Sequence, residues 1–388
     1  MRLLITGSKG FVGKNLIAEL SNKKHENLYE IYEFDIDSDI KLLDKYTKSC
    51  DFVIHLAGVN RPQDEKEFME GNFGFTSILL NKLKENSNKA PILITSSIQA
   101  ALDNPYGISK KAGEDLIFKY GKDNNVKTIV YRMPNVFGKW CKPNYNSAIA
   151  TFCNNIANDL PIQVNNRNHE MSLIYIDDLV NEILNAINGK ENKLSKDNLL
   201  SLDNLQDDFC YMKPVYQRTL GEIVDLLYAF KGSRKDLSVP DMNDEFIKKL
   251  YATYLSYLPT NDFSYELNMK CDYRGSFTEM IRTNGQGQFS INVSKPGITK
   301  GNHWHHTKNE KFLVVSGNCI IKFRKVGTKD IFTYEVSGSK LEVVDIPCGY
   351  THSITNIGVT DSITVMWASE CFDLENPDTI YLEVENNE

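Results

Sequence analysis

The pattern of apolar residues changes partway along the chain, and this change constrains the fold more than any other feature. Up to about residue 187, short apolar runs that indicate strands alternate with amphipathic stretches that indicate helices. From about residue 260, short β-rich runs are separated by Gly, Pro and Asn turns, and no helical period interrupts them. We therefore predict two domains, 1–257 with parallel strands in a doubly wound α/β sheet, and 258–388 as an all-β domain.

The individual runs give element boundaries for both predicted domains. In the first domain, strands are predicted at 2–5, 30–34, 52–56, 92–95 and 128–131, and helices at 13–21, 71–86, 110–120, 219–228 and 245–257. The segment 188–215 is rich in Asn, Lys and Asp and is predicted to be an irregular insertion. In the second domain, strands are predicted at 287–293, 310–316, 319–324, 342–346 and 362–367.

Composition excludes several classes of partner. Lys and Arg number 44 against 51 Asp and Glu, and the resulting net charge of −7 argues against binding to nucleic acid or to an anionic membrane surface. No apolar run reaches the roughly 18 residues of a spanning helix, and a strand pattern starting at Arg2 leaves no room for a signal peptide. The 8 Cys include no CxxC pair, which indicates reduced thiols and a cytoplasmic protein.

A glycine-rich loop follows the first predicted strand and opens a helix. Gly7, Gly10 and Gly13 permit a tight turn and let backbone N–H groups approach a pyrophosphate at the helix N-terminus. Tyr106 and Lys110 lie four residues apart and share one face of a helix, where the ammonium is expected to hold the pKa of the phenol down and make it a proton donor or acceptor.

These motifs resemble the extended short-chain dehydrogenase/reductase family, which epimerises, dehydrates or reduces nucleotide-linked sugars. Further matches are Ser96-Ser97, the segment 51–58, Arg132-Met-Pro-Asn-Val-Phe-Gly138 and Ile174-Tyr-Ile-Asp-Asp178. The resemblance implies an NAD(P)-binding Rossmann-type domain in which Ser97 (less favoured, Ser96), Tyr106 and Lys110 are catalytic and Asn135 touches the sugar nucleotide. The residues that it implies for the cofactor are Gly7, Lys9, Gly10, Phe11, Val12, Gly13, Asp35, Leu56, Ala57, Gly58, Tyr106 and Lys110.

Two questions stay open within this domain. Asp35 closes the second strand, where a carboxylate accepts hydrogen bonds from a ribose 2′-OH and favours NADH, whereas Lys9 could contact the 2′-phosphate of NADPH. Met171 stands where the family commonly has an Arg for the substrate diphosphate, which leaves Arg167, Lys139 or Lys142 to supply the charge. In addition, only eight residues separate Ser97 from Tyr106, fewer than in typical sugar epimerases, so the sugar pocket is expected to be built differently.

The second domain carries four residues of metal-ligand type. On a β-barrel, His303 and His305 would project to the same face because side chains alternate along a strand. Glu310 and His352 can complete the set around a divalent ion. Four such residues in a chain with only 7 His are a strong signal.

Their spacing, from Gly297 to Gly317 and from Pro347 to Asn356, is similar to the two-part motif of metal-binding cupins, except that Leu341 replaces the first Gly of the second part. This resemblance implies a small β-barrel that holds the metal, with zinc expected. The segment 272–279 is similar to one in cupin-fold sugar-nucleotide 3,5-epimerases, where Arg274 would contact a phosphate.

Over essentially the whole chain, the sequence is similar to the bifunctional two-domain enzymes of capsular-polysaccharide synthesis in the UDP-N-acetyl-L-fucosamine pathway. This implies a UDP-linked 4-keto-6-deoxy-HexNAc substrate, C3 epimerisation by the cupin, C4 reduction with NADPH, and a homodimer. The alternatives are a single-activity reductase with a structural cupin, and a sugar-nucleotide sensor that uses the cupin for dimerisation. For the C3 base, the sequence leaves four candidates without a ranking: His306, Lys308, Tyr350 and Asp272.

Overall fold

A six-stranded parallel sheet organises the N-terminal part of the chain in this computed structural model, which describes residues 1–22, 25, 27–193, 209–283, 285–373, 375 and 377–385. The strands of this part are β1 (Arg2–Thr6), β2 (Glu30–Phe34), β3 (Phe52–His55), β4 (Ile92–Ser97), β5 (Thr128–Met133), β6 (Asn135–Phe137), β7 (Glu170–Tyr175), β8 (Phe209–Cys210) and β9 (Tyr216–Thr219). The sheet has the order β2-β1-β3-β4-β5-β8, and β6, β7 and β9 form a separate three-stranded sheet. The carboxyl ends of parallel strands meet at one edge, which is where ligands bind in such sheets.

Nine helices are described along the chain. They are α1 (Phe11–Leu20), α2 (Ile40–Ser49), α3 (Lys66–Met69), α4 (Phe75–Glu85), α5 (Pro105–Asn124), α6 (Ala148–Ala157), α7 (Ile176–Ile187), α8 (Leu220–Asp236) and α9 (Glu245–Leu255). Helix α5 begins earlier than the predicted residue 110, because the Asn104 side chain accepts a hydrogen bond from the Gly107 N–H and Pro105 stands at the first position. The helix predicted from residue 71 begins at Phe75, after a π-helical turn over Glu70–Gly74.

The central strands β1 and β3 of the parallel sheet are buried on both faces, because successive residues point to opposite sides. Leu3, Ile5 and Ile54 pack in one apolar cluster, whereas Leu4 and Val53 pack in another. Because both faces are covered, these central strands are continuous apolar runs that the sequence located closely. The edge strand β2 was also located, whereas β8, at the other edge, lies in the segment predicted to be irregular, and that part of the prediction is wrong.

The C-terminal part of the chain is built from two further sheets. Its strands are β10 (Ser238–Val239), β11 (Lys270–Asp272), β12 (Gly275–Thr283), β13 (Gly287–Ser294), β14 (Thr299–Trp304), β15 (Glu310–Ser316), β16 (Asn318–Lys325), β17 (Ile331–Ser337), β18 (Val343–Ile346), β19 (Tyr350–Asn356), β20 (Ser362–Ala368) and β21 (Ile380–Tyr381). One sheet has the order β10-β12-β13-β20-β15-β18, with β11 beside β12, and the other has the order β17-β16-β19-β14-β21. Both sheets contribute to one apolar cluster that includes Phe312 and Ile321.

The predicted fold class, a parallel α/β sheet followed by a mostly antiparallel β region, is confirmed. The described residues divide into two units, Met1–Tyr228 with Lys249–Leu258, and Ala229–Lys248 with Pro259–Glu388. The domain boundary at 257/258 stays a prediction. Most of the predicted irregular insertion, 194–208, lies outside the described residues. Among the described helices, none has the length and apolar character that a membrane span requires.

Candidate active site and candidate metal centre

The glycine-rich loop joins β1 to α1, and at two of its positions neighbouring backbone atoms leave no space for a side chain. Gly7 has a φ of +69°, and a Cβ there would lie 2.7 Å from the backbone nitrogen of Ala57. A Cβ on Gly13 would lie 2.3 Å from the carbonyl oxygen of Gly7. No described side chain caps the N-terminus of α1, whose first N–H groups are therefore available to a bound anion.

A cavity of about 470 Å³ lies beside this loop, and most of the predicted N-terminal site residues line it. The predicted residues in its wall are Gly7, Lys9, Gly10, Phe11, Val12, Gly13, Leu56, Gly58, Ser97, Tyr106, Lys110 and Asn135. The structure does not bring Asp35, Ala57 or Arg167 into the lining of this cavity. Apart from Lys142, the sequence had not indicated the segment Trp140–Ile149 as a wall, although most of it lines the cavity.

Ser97, Tyr106 and Lys110 come together at the carboxyl end of β4 and the first turns of α5. The Ser97 hydroxyl lies near enough to the Tyr106 phenol to lower its pKa, and it accepts a hydrogen bond from the Gln99 N–H at 3.2 Å. The Lys110 Nζ donates to the Thr95 carbonyl oxygen at 3.0 Å. This arrangement places a hydroxyl, a phenol and an ammonium at the wall of one cavity.

The expectation that Lys110 lowers the pKa of Tyr106 is wrong for this structure. Burial raises the pKa of Tyr106, and the nearby Ser97 hydroxyl opposes that shift only in part. Burial also lowers the pKa of Lys110, to about 8. The physical reason is the burial of the phenol, which makes Tyr106 a protonated phenol at neutral pH that is suited to donate a proton.

Ser96 and Ser97 have different surroundings. The Ser96 hydroxyl donates to Glu114 Oε1 at 2.5 Å, and Arg132 donates to the same carboxylate at 2.9 and 2.6 Å. Glu114 and Ser96 are both buried, so this hydroxyl is committed to an internal network, whereas Ser97 lies beside Tyr106. Sequence reasoning missed Glu114, although it follows Tyr106 and Lys110 at the same spacing of four and so shares their helix face.

Asp35 and Lys9 lie against one another at the end of β2. The Asp35 carboxylate accepts a hydrogen bond from the Lys9 backbone N–H at 2.7 Å. The Lys9 ammonium forms an ion pair with Asp37, which the sequence did not indicate. Both residues suggested for the choice between NADH and NADPH therefore belong to one exposed cluster at the glycine-rich loop.

The cations suggested for the substrate diphosphate have different partners. Arg167 forms an ion pair with Asp225 at 2.7 Å, and Lys139 forms one with Asp177 at 2.5 Å. Lys142 lines the cavity, with its Nζ 5.5 Å from the centre of the Tyr145 ring. Of the three, Lys142 alone lines the cavity.

In the C-terminal unit, the structure gathers the four predicted metal-type residues. Each of His303, His305, Glu310 and His352 offers one donor atom, and these atoms all lie within 4.8 Å of one another. His303 on β14 stands directly opposite His352 on β19, whereas His305 follows the end of β14 and Glu310 begins β15. His305 and His352 are fully buried.

The donor set fits a divalent metal ion. Burial lowers the pKa of His303 to about 4, so this imidazole is neutral and keeps a lone pair for a metal. The buried Nε2 of His352 lies 3.3 Å from Glu310 Oε2 and has no hydrogen-bond partner of good geometry among the described residues. Three imidazoles with one carboxylate are typical ligands of zinc and similar transition metals.

The remaining residues suggested for this unit differ in exposure. Lys308 is buried and donates its Nζ to Thr379 Oγ1 at 2.8 Å. His306 is exposed and stacks edge-on against Trp304, with ring centroids 4.5 Å apart. Asp272 and Arg274, both partly exposed, form an ion pair at 2.6 Å with each other.

Comparisons with known proteins agree with this two-part architecture. A model of the NAD dependent epimerase/dehydratase family matches residues 3–199, and a model of the polysaccharide biosynthesis C-terminal domain matches residues 270–380. The chain is 44% identical over 379 residues to UDP-2-acetamido-2,6-beta-L-arabino-hexul-4-ose reductase from Pseudomonas aeruginosa, covering 98% of each protein. It is 25% identical over 307 residues to dTDP-4-dehydro-6-deoxyglucose reductase from Escherichia coli, covering 64% of this chain and 97% of the other.

A solved structure is similar along the same length. The crystal structure of the capsular polysaccharide assembling protein CapF from Staphylococcus aureus superposes with a TM-score of 0.90 at 53% identity, covering 99% of this chain and 100% of the other. The similarity therefore extends over both units of this chain.

Proposed function

This chain belongs to the NAD-dependent epimerase/dehydratase family, and we propose that it reduces the C4 ketone of a UDP-linked 4-keto-6-deoxy-HexNAc for surface-polysaccharide synthesis. The substrate would be UDP-2-acetamido-2,6-dideoxy-L-hexos-4-ulose and the product UDP-2-acetamido-2,6-dideoxy-L-talose. The observation that carries the proposal is the grouping of Ser97, Tyr106 and Lys110 at the wall of the cavity beside the glycine-rich loop. Reduction of a ketone needs a hydride donor and an acid, and a pure binding protein needs neither.

The glycine-rich loop and the N-terminus of α1 would hold the pyrophosphate of the cofactor, with Leu56 and Gly58 beside it. A bound NADPH or NADH would supply the hydride for C4. The Ser97 hydroxyl would hold the C4 oxygen by a hydrogen bond. The Tyr106 phenol would donate its proton to that oxygen as the alcohol forms, and would regain a proton from solvent.

Lys110 would bind the ribose of the cofactor and help to orient Tyr106. The Thr95 carbonyl holds its ammonium in place by a hydrogen bond. Asn135 in the cavity wall would contact the sugar nucleotide. Each role is a proposal that follows from the residue's position and chemistry.

For the C-terminal unit we propose epimerisation at C3 of the same substrate. The C4 ketone makes the C3 proton acidic, and its removal leaves an enolate that needs positive charge nearby. His303, His305, Glu310 and His352 would hold a divalent metal, with zinc favoured by the three imidazoles, and this metal would supply Lewis acidity. Subsequent reduction of the ketone would prevent reversal of the epimerisation.

The test is to incubate the protein with the UDP-4-keto-6-deoxy-HexNAc, with and without NADPH, and to identify the products by NMR. With NADPH we expect a C4 alcohol. Without it, in D₂O, we expect deuterium at C3. Reduction without C3 exchange would leave a single-activity reductase with a structural metal unit, and binding without either reaction would leave a sugar-nucleotide sensor.

A further inference from the structure

We propose that the segment 377–385, at the C-terminal end of the described chain, is part of the metal centre, and that Asp378 is a positioning residue for the ligand His305. This inference rests on the proposed metal site, because it concerns how one of the four ligands is oriented. Asp378 is far from the ligands in sequence, and no motif marks it.

The Asp378 carboxylate fixes the turn that follows the ligand strand β14. It accepts hydrogen bonds from three consecutive backbone N–H groups, those of His306, Thr307 and Lys308, each at 2.8 Å. The Thr307 hydroxyl adds a fourth contact at 3.2 Å. Three convergent N–H donors form a strong site for an ionised carboxylate, so this contact holds the backbone next to His305 in one conformation.

The backbone carbonyl of the same residue orients the His305 ring. His305 Nδ1 makes a short hydrogen bond to the backbone carbonyl oxygen of Asp378. A carbonyl oxygen can only accept, so Nδ1 must carry the proton. In the neutral ring Nε2 then keeps its lone pair, and it lies 3.4 Å from Glu310 Oε2, inside the cluster of donor atoms. Partners of this kind set the tautomer and direction of metal-binding imidazoles.

The rest of the segment is anchored on β14 and β19, two of the three strands that carry or adjoin the proposed ligands. Strand β21 pairs with β14, where Tyr381 stands opposite His303. The Leu382 carbonyl accepts a hydrogen bond from the Thr351 hydroxyl, directly before His352. Beyond it, the buried Arg324 donates to the carbonyl oxygens of Glu383 and Val384 at 2.6 and 2.8 Å. The segment thus contacts the backbone next to three of the four ligands, which supports a role in assembling the metal site.

The experiment compares metal affinity in the full-length protein and three variants. Asp378→Ala removes the carboxylate, and Asp378→Asn keeps one acceptor oxygen. Glu385→Gln is the matched control, because Glu385 lies in the same segment but is exposed and pairs with Lys322. Zinc affinity is measured by competition with a chelator, and NADPH binding reports whether each variant keeps a working N-terminal unit.

For Asp378→Ala we expect the zinc Kd to rise roughly tenfold, the lower end of the usual loss when a partner of a metal-binding His is disturbed. The variant keeps the carbonyl that accepts from His305 and loses the carboxylate that holds the adjoining turn in place. Asp378→Asn should show a smaller rise, and Glu385→Gln should match the wild type. Wild-type zinc affinity in Asp378→Ala would overturn the proposal. If that variant does not fold, Asp378→Asn decides, and an unchanged Kd there overturns it equally.

A second readout separates this proposal from the proposed function. Long-range ¹H–¹⁵N NMR of the metal-free protein reports the His305 tautomer, which we expect to be protonated at Nδ1 in the wild type and to become a mixture in Asp378→Ala. If the wild type binds no divalent metal, the proposed metal chemistry fails, while the tautomer still tests the role of Asp378. An Nε2-protonated ring in the wild type would overturn that role.

Discussion

In the N-terminal unit the reactive side chains stand at the wall of an open cavity of about 470 Å³, whereas in the C-terminal unit four donor atoms lie within 4.8 Å of one another. The first arrangement leaves room for a large organic ligand, and the second leaves room for an ion. Both use a backbone carbonyl to orient one reactive group, Thr95 for Lys110 and Asp378 for His305. A backbone carbonyl is suited to this because it can only accept a hydrogen bond, which fixes the group that donates to it.

The largest effect that we expect is on the rate of reduction, when a reactive side chain at the cavity wall is changed. Tyr106→Phe removes the only proton that our proposal transfers to the C4 oxygen, so the rate of NADPH oxidation should fall by about 10²- to 10⁴-fold. NADPH affinity, measured by fluorescence, should stay nearly unchanged, because the phenol is not required for the loop to bind pyrophosphate. Tyr228→Phe, at an exposed tyrosine of the same unit, is the control. A Tyr106→Phe rate above about a tenth of the wild-type rate would remove this residue from the mechanism.

The proposed metal site of the C-terminal unit is tested by removing two of its four donor residues. His303→Ala combined with His352→Ala takes two of the four donors, so bound zinc should be lost and C3 deuterium exchange should fall by more than about tenfold. NADPH binding should persist. Stripping the wild type with a chelator should have the same effect, and added zinc should reverse it. Exchange at the wild-type rate in a demonstrably metal-free double variant would show that the metal is structural.

The Glu114 network gives a smaller effect with a distinct signature. The pKa of Lys110 is lowered to about 8 by burial, and the Glu114 carboxylate opposes this shift. If catalysis needs the ammonium, activity falls as pH rises through that pKa. In Glu114→Gln the pKa of Lys110 should drop further, so the alkaline limb of the profile of kcat/KM against pH should move down by on the order of one pH unit. The control is Asp115→Asn, which breaks the exposed pair with Lys111 on the same helix.

Glu114 also bears on stability. Its carboxylate is buried and accepts two hydrogen bonds from Arg132, so the variant should lower the free energy of unfolding by roughly 3–5 kcal/mol, the usual effect of breaking a buried pair. A thermal melt therefore accompanies the pH profile. An unshifted alkaline limb in a folded Glu114→Gln protein would show that this carboxylate does not act through Lys110.

Much of the fold and of both sites could be predicted from the sequence because the signals are local. Tyr106 and Lys110 share a helix turn, and Ser97 ends an apolar strand. The position of Asp378 could not be predicted, because its hydrogen bonds cross about 70 residues of sequence and follow no periodic pattern. The raised pKa of Tyr106 was also beyond sequence reasoning, since it depends on how deeply the folded chain buries the phenol.

The smallest effect that we expect concerns the choice between NADPH and NADH, for which the contributions of two carboxylates, Asp35 and Asp37, can be measured separately. The Asp35 carboxylate accepts the Lys9 N–H, while Asp37 pairs with the Lys9 ammonium. If Asp35 faces the adenosine ribose, Asp35→Asn removes a charge that repels a 2′-phosphate and should shift the kcat/KM ratio of NADPH to NADH upward by roughly fivefold, about 1 kcal/mol for an exposed charge. Asp37→Asn frees the Lys9 ammonium and should shift the ratio in the same direction if that lysine binds the phosphate. A ratio that changes only in Asp37→Asn assigns the choice to Lys9, and a ratio unchanged in both variants excludes this cluster from cofactor discrimination.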